Sequence, residues 1–190
     1  MKDLLAIVLF LLLTACQYDP HAHTYTTHKP SIEEITGEYE LSEIYMERYS
    51  PGIRDKIKTL QEPPFIRITA DGRFKAIRFP YFSEVREGFE YRFENFRNVE
   101  GRWEIAVVGG IGDGSGTIKG HYGIRLAGLP VHLSSLGFTG TKRIDGLILG
   151  FGDPDSGDAI MFKKKNTEQG RGTNAQQRVV QRLKTIPPNP

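Results

Sequence analysis

The sequence predicts an all-β domain: an antiparallel up-and-down barrel of about eight strands with one short helix, or alternatively a β-sandwich. Three observations lead there. Glycine and aromatic residues are abundant, with 21 Gly, 11 Phe and 8 Tyr among 190 residues, a composition of strands and tight turns. Apolar residues recur at every second position in short runs, the period of a strand with one buried face. Turn dipeptides separate those runs, and no long helical stretch lies between them, so the strands should pair with their sequence neighbours and close on themselves. A single Cys excludes an intramolecular disulfide and a thiolate metal cluster. The formal charge of +2 gives no global case for nucleic-acid binding.

Residues 1–15 do not belong to the fold. Met1-Lys2-Asp3 precedes an unbroken apolar run, Leu4 to Leu13. As a helix such a run spans about 15 Å, half a bilayer core, so it suits the apolar region of a signal peptide and not a transmembrane helix. From Gln17 to Pro30 the chain is polar, with His21, His23 and His28, and reads as a tether. His21-Ala22-His23 lacks the further ligands that would complete a metal shell.

Ser31, followed by Glu33 and Glu34, is placed to cap one helical turn, which Thr36-Gly37 ends. Tyr39 and Leu41 alternate with polar neighbours as a first strand. Ile53, Ile57 and Leu60 have the four-and-three spacing of a short amphipathic helix lying against the sheet. Phe65 to Thr69 and Arg73 to Ile77 flank Ala70-Asp71-Gly72, and Asp-Gly tolerates the positive φ of a tight hairpin. Phe89, Tyr91 and Phe93 form one expected strand, and Trp103, Ile105 and Val107 another beyond Asn98. Tyr122, Ile124 and Leu126 form the next. Leu147 to Leu149 and Ile160 to Phe162 bracket Gly152 to Asp158 as a final hairpin. After Lys165 the composition turns to Asn, Gln, Gly, Arg and Pro, marking a basic disordered tail. Its segment Ala175 to Ile186 has Val179, Leu183 and Ile186 at helical spacing beside Arg178, Arg182 and Lys184, but twelve residues are marginal for an isolated helix.

No constellation reaches the pattern that catalysis requires, and no catalytic residue, cofactor or enzymatic activity is expected. Gly109-Gly110-Ile111-Gly112-Asp113-Gly114-Ser115-Gly116 fits neither a phosphate-binding loop nor a dinucleotide fingerprint, and reads as a flexible interstrand loop. Asp153, Asp155 and Asp158 are weak candidates for a calcium ion, since hard cations take several oxygens from a short loop. The same residues suit a hairpin turn on conformational grounds, and the turn is favoured. His121 and His132 are the histidines expected inside the domain, where a packed or solvent-facing role is favoured over acid-base work. The density of aromatic residues between Phe65 and Trp103 supplies a core, leaving open whether the barrel is filled or holds one small apolar ligand.

Leu13-Thr14-Ala15-Cys16 resembles the lipobox of bacterial lipoproteins. That resemblance implies cleavage before Cys16, a diacylglycerol on its thiol and often an acyl group on its new amine. An exported compartment is oxidising and disfavours an unmodified free thiol, which agrees. Two or three acyl chains hold a protein firmly to a membrane. Gln17, where Asp would imply inner-membrane retention, points to the periplasmic face of the outer membrane.

Ile35-Thr36-Gly37-Glu38-Tyr39-Glu40-Leu41, Ala70-Asp71-Gly72-Arg73-Phe74, Glu100-Gly101-Arg102-Trp103 and Gly152-Asp153-Pro154-Asp155-Ser156-Gly157 resemble small bacterial lipoproteins with lipocalin-like domains. The likeness implies a calycin-like barrel and carries no activity. The expected organisation is therefore a signal peptide (1–15), a lipidated Cys16 with a polar tether (16–34), a β-barrel domain (35–165) and a basic tail (166–190). The expected partners are a membrane through the lipid on Cys16 and either a small apolar molecule or an envelope protein. A structural or assembly role through the surface and tail of a filled barrel is the alternative.

Overall fold

The computed structural model describes residues 19–46, 48–86, 90–112 and 117–165. Eight antiparallel strands, each paired with its sequence neighbour, form a closed barrel in which the last pairs with the first. They are β1 (Gly37–Tyr45), β2 (Phe65–Ile68), β3 (Arg73–Arg86), β4 (Glu90–Gly112), β5 (Ile118–Leu126), β6 (Ser135–Thr139), β7 (Gly146–Gly150) and β8 (Ala159–Lys164). Closure between β1 and β8 runs from Tyr39 opposite Lys164 to Tyr45 opposite Ala159 and leaves no free edge at that seam. Among the described residues, no helix is long and apolar enough to cross a membrane.

The barrel is the expected one, but its strands divide differently. The two strands expected around Tyr91 and Trp103 are one continuous strand of 23 residues, β4. Its first half, Glu90 to Arg102, pairs with β3, and its second half, Trp103 to Gly112, pairs with β5. Asn98, which looked like a break, bonds across the sheet: its Oδ1 accepts the backbone N–H of Arg78 at 2.9 Å. Arg78 sits at an irregularity of β3 with φ 52°, so a side-chain acceptor replaces a lost ladder bond. The eighth strand is β6, which the sequence reading passed over. Gly109 to Gly112, expected in a flexible loop, extend β4 and pair with Ile118 to His121 of β5. Residues 113–116 and Phe89 lie outside the described residues.

Among the described residues three short α-helices accompany the barrel: the turn expected after Ser31, the amphipathic helix expected around Ile53, and a third that was not expected. The first, α1 (Ile32–Ile35), begins with the predicted cap. Glu34 N–H donates to Ser31 Oγ at 3.3 Å, and Ser31 N–H donates to Glu34 Oε2 at 2.8 Å, a reciprocal capping box. The turn drives Ile35 into the core, and Tyr39 Oη donates to the Ile35 carbonyl at 2.5 Å. Helix α2 (Ile53–Lys58) buries Ile53 and packs Ile57 against the core. It stops before Leu60, short of the expected span. Helix α3 (Val131–Ser134) lies in the β5–β6 connection and buries Leu133.

Alternation directs one face of each strand inward. Tyr39, Ile66, Ile68, Phe79, Ile124, Leu126, Leu136, Phe138, Leu147, Leu149, Ile160 and Phe162 are almost wholly excluded from solvent and fill the interior. Phe79 and Phe162 stack across it, centroids 6.0 Å apart. The β1–β2, β3–β4, β5–β6 and β7–β8 connections share one end of an up-and-down barrel, and an aromatic cluster gathers there. Tyr91 meets Tyr49 edge-on at 5.5 Å and Phe151 at 5.1 Å, while Phe82 meets Phe151 at 5.2 Å and Phe93 at 5.6 Å. Edge-to-face pairs of this kind each contribute about 0.5–1.5 kcal/mol beyond the burial of their area.

Candidate functional site

The outer face of β5, β6 and β7 carries the most elaborate surface feature. Leu136 and Phe138 point inward, so Gly137 between them faces out; likewise Leu147 and Leu149 leave Gly146, Ile148 and Gly150 outside. Strands β5 and β6 pair only from Gly123 opposite Gly137 to Arg125 opposite Ser135, and beyond that they diverge. Residues 19–30, expected as a polar tether, pack into and beside this gap. Thr26 N–H donates to the Phe138 carbonyl at 3.0 Å, and Gly140 N–H donates to the Thr24 carbonyl at 2.9 Å. On the other side Tyr122 N–H donates to the Thr26 carbonyl at 3.0 Å. Thr26 is fully buried, and its hydroxyl donates to the Gly140 carbonyl at 2.6 Å. The strap thus satisfies backbone groups that the diverging strands would otherwise leave open.

Two glycines make room for the strap's aromatic contact. The Tyr25 ring packs on Gly137, 3.1 Å from where a Cβ would stand. Gly109 gives the same space to the His121 imidazole. Tyr25 and His121 stack with centroids 4.1 Å apart and planes 19° from parallel. The Tyr25 hydroxyl bonds to Asp19, and burial together with that carboxylate raises the phenol well above its ordinary range. His121 is 9% exposed, and its Nδ1 is buried with no hydrogen-bond partner among the described residues. Burial lowers its pKa below the ordinary 6.5, with Asp19 opposing, so the ring is favoured in its neutral form. Among the described residues no carboxylate or hydroxyl meets Nδ1, the atom through which a catalytic histidine is oriented.

His132 is also tied into the fold. Its Nε2–H donates to the Phe82 carbonyl at 2.9 Å, and its Nδ1 lies 3.8 Å from Glu84, so the ring fastens α3 to β3. His21, assigned to the tether, instead donates from Nε2 to the Gly157 carbonyl at 3.1 Å and lies against Tyr45. Asp153 Oδ1 accepts the Asp155 N–H at 3.1 Å and caps a 3-10 turn over Pro154–Ser156. Asp158, 8% exposed, forms an ion pair with Arg48 at 2.7 Å. Asp153 and Asp158 therefore have separate structural partners, and no group of three potential metal ligands converges among the described residues. Cys16, the signal segment and the tail 166–190 lie outside the described residues.

Between the strap, the β4–β5 arm, α3 and the β7–β8 connection lies an open groove of about 870 Å³. Asp19, Tyr25, Ile118, His121, Val131 and Ile148 are among its walls. A second depression, of about 450 Å³, lies between β1 and α2. Sequence reading missed the groove because its walls come from five separate segments. The one local signal was Thr24-Tyr25-Thr26, a β-prone triplet within a polar stretch. Comparison of the chain with protein-family models, curated proteins and solved structures returned no match.

Proposed function

We propose that this chain is a lipid-anchored protein of the bacterial envelope, held through Cys16 at the periplasmic face of the outer membrane, and that it docks an envelope partner without catalysing a reaction. The filled interior carries the choice of mode. Phe79, Phe138 and Phe162 occupy the space where a lipocalin-like barrel would hold a small apolar molecule, so binding falls to the outer surface. Support for the anchor comes from the lipobox-like Leu13-Thr14-Ala15-Cys16 behind a signal-like apolar run. Support for a non-catalytic role comes from His121, buried and stacked on Tyr25, and from the part-buried His132 and His21, each bonded to a backbone carbonyl.

Cys16→Ala tests the anchor. The variant should lose metabolic labelling with palmitate and leave the membrane fraction, or persist with residues 1–15 attached. Membrane fractionation and amino-terminal processing identical to those of the parent would refute it.

A further inference from the structure

We propose that the groove beside the strap faces the lipid bilayer, with Ile118 and Val131 entering its interfacial region and the opposite β2–β3 side of the barrel turned away. The inference rests on the proposed lipidation of Cys16 and adds an orientation to it. A free tether would let the barrel tumble, but the strap is fixed from Asp19 onward. His21 N–H donates to Asp19 Oδ1 at 2.7 Å, the His21 ring holds Gly157, and Thr24 to Thr26 bridge β5 and β6. Cys16 lies three residues before Asp19, so at most about 11 Å of extended chain separates the acylated residue from the groove wall. An anchor that short brings the groove to the membrane surface.

The groove has the side chains for that contact. Val131 is 89% exposed and Ile118 74% exposed, the two most exposed large apolar residues among those described, and both line the same groove as Asp19. Exposed apolar side chains that converge around an anchor are what an interfacial contact uses. Of the acids lining the groove, Asp158 is paired with the cationic Arg48 and Asp19 accepts a hydrogen bond from the Tyr25 hydroxyl. Lys119, exposed beside Ile118, is available to headgroup phosphates.

The test uses the full chain, expressed with its leader and purified in lipidated form. Once its thiol is acylated, the single native Cys leaves any engineered cysteine unique. Ile118→Cys, Val131→Cys and Lys75→Cys each receive an environment-sensitive fluorophore. Lys75 serves as the far reference because β3 lies four strands from β7 in the ring of eight. The proteins are placed in vesicles of phosphatidylethanolamine and phosphatidylglycerol carrying a lipid-attached quencher. Labels at 118 and 131 should be quenched about twofold or more, as for groups about 5 Å inside the headgroup boundary, and the label at 75 should not. Tyr25→Ala, which removes the strap's aromatic hold, should bring quenching at 118 toward the Lys75 level.

Equal quenching at all three sites, in protein whose intact mass shows the lipid, overturns the orientation and leaves the anchor standing. Quenching at 118 that survives Tyr25→Ala removes the strap as its cause and overturns the mechanism. An intact mass without lipid on Cys16 refutes the anchor itself, and the orientation with it.

Discussion

The interior of the barrel and its outer face under the strap are built by opposite means. Inside, large apolar side chains contributed by every strand meet in a packed cluster, and specificity comes from volume. Outside, on β4 to β7, side chains are absent where the strap and His121 pack: Gly137 and Gly109 leave room for Tyr25 and His121. The interior uses residues that any barrel needs. The outer face uses glycines, a threonine and a histidine that a barrel does not need, and it joins the segment behind Cys16 to the folded domain.

If that contrast is right, substitutions inside should cost the most. Phe162→Ala removes a fully buried ring stacked on Phe79 and should lower stability by about 3–5 kcal/mol, read from urea unfolding. A loss below about 1 kcal/mol would mean that the interior is loosely packed and has room for a ligand. Gly109→Val crowds the His121 imidazole and should cost about 1–3 kcal/mol. Its diagnostic effect is faster amide exchange at Thr26, with β2 and β8 amides unchanged. Thr26→Val keeps the shape but loses the hydroxyl donated to Gly140, costing about 1 kcal/mol in thermal or urea unfolding.

The gentlest probe is pH. The pKa of His121 is lower in the fold than its ordinary 6.5, so as pH falls the unfolded chain binds the proton first. Stability should therefore decline from about pH 6.5 downward, and His121→Phe should flatten that part of the profile, measured as the urea midpoint against pH. A midpoint that stays level, or rises, on acidification through this window would show that His121 is not held neutral.

Legibility in the sequence follows the same division. The β2–β3 hairpin was readable because its cause is local: Gly72 adopts φ 79°, and Thr69 Oγ1 donates to Asp71 Oδ1 at 2.5 Å within the turn. The cap of α1 was readable for the same reason. Strand β4 was misdivided because Asn98 and Gly101, residues typical of turns, serve a partner strand instead. Asn98 bonds Arg78, and Gly101 yields space to the Phe74 ring and the Ala127 carbonyl. The sequence pattern yields about eight strands only by splitting β4 in two and omitting β6, where Leu136 and Phe138 offer only two alternating positions. The strap was illegible because the groups that fix it, Phe138, Gly140 and Tyr122, lie about a hundred residues away in sequence, and no periodicity reports on them.

The most direct test of the account is the mass of the protein extracted from membranes, measured first under native and then under denaturing conditions. The account predicts a chain beginning at Cys16 with covalent acyl groups, and the same mass in both measurements. A chain retaining residues 1–15 without lipid would contradict the anchor, and a lipid-sized mass lost on denaturation would contradict the filled barrel.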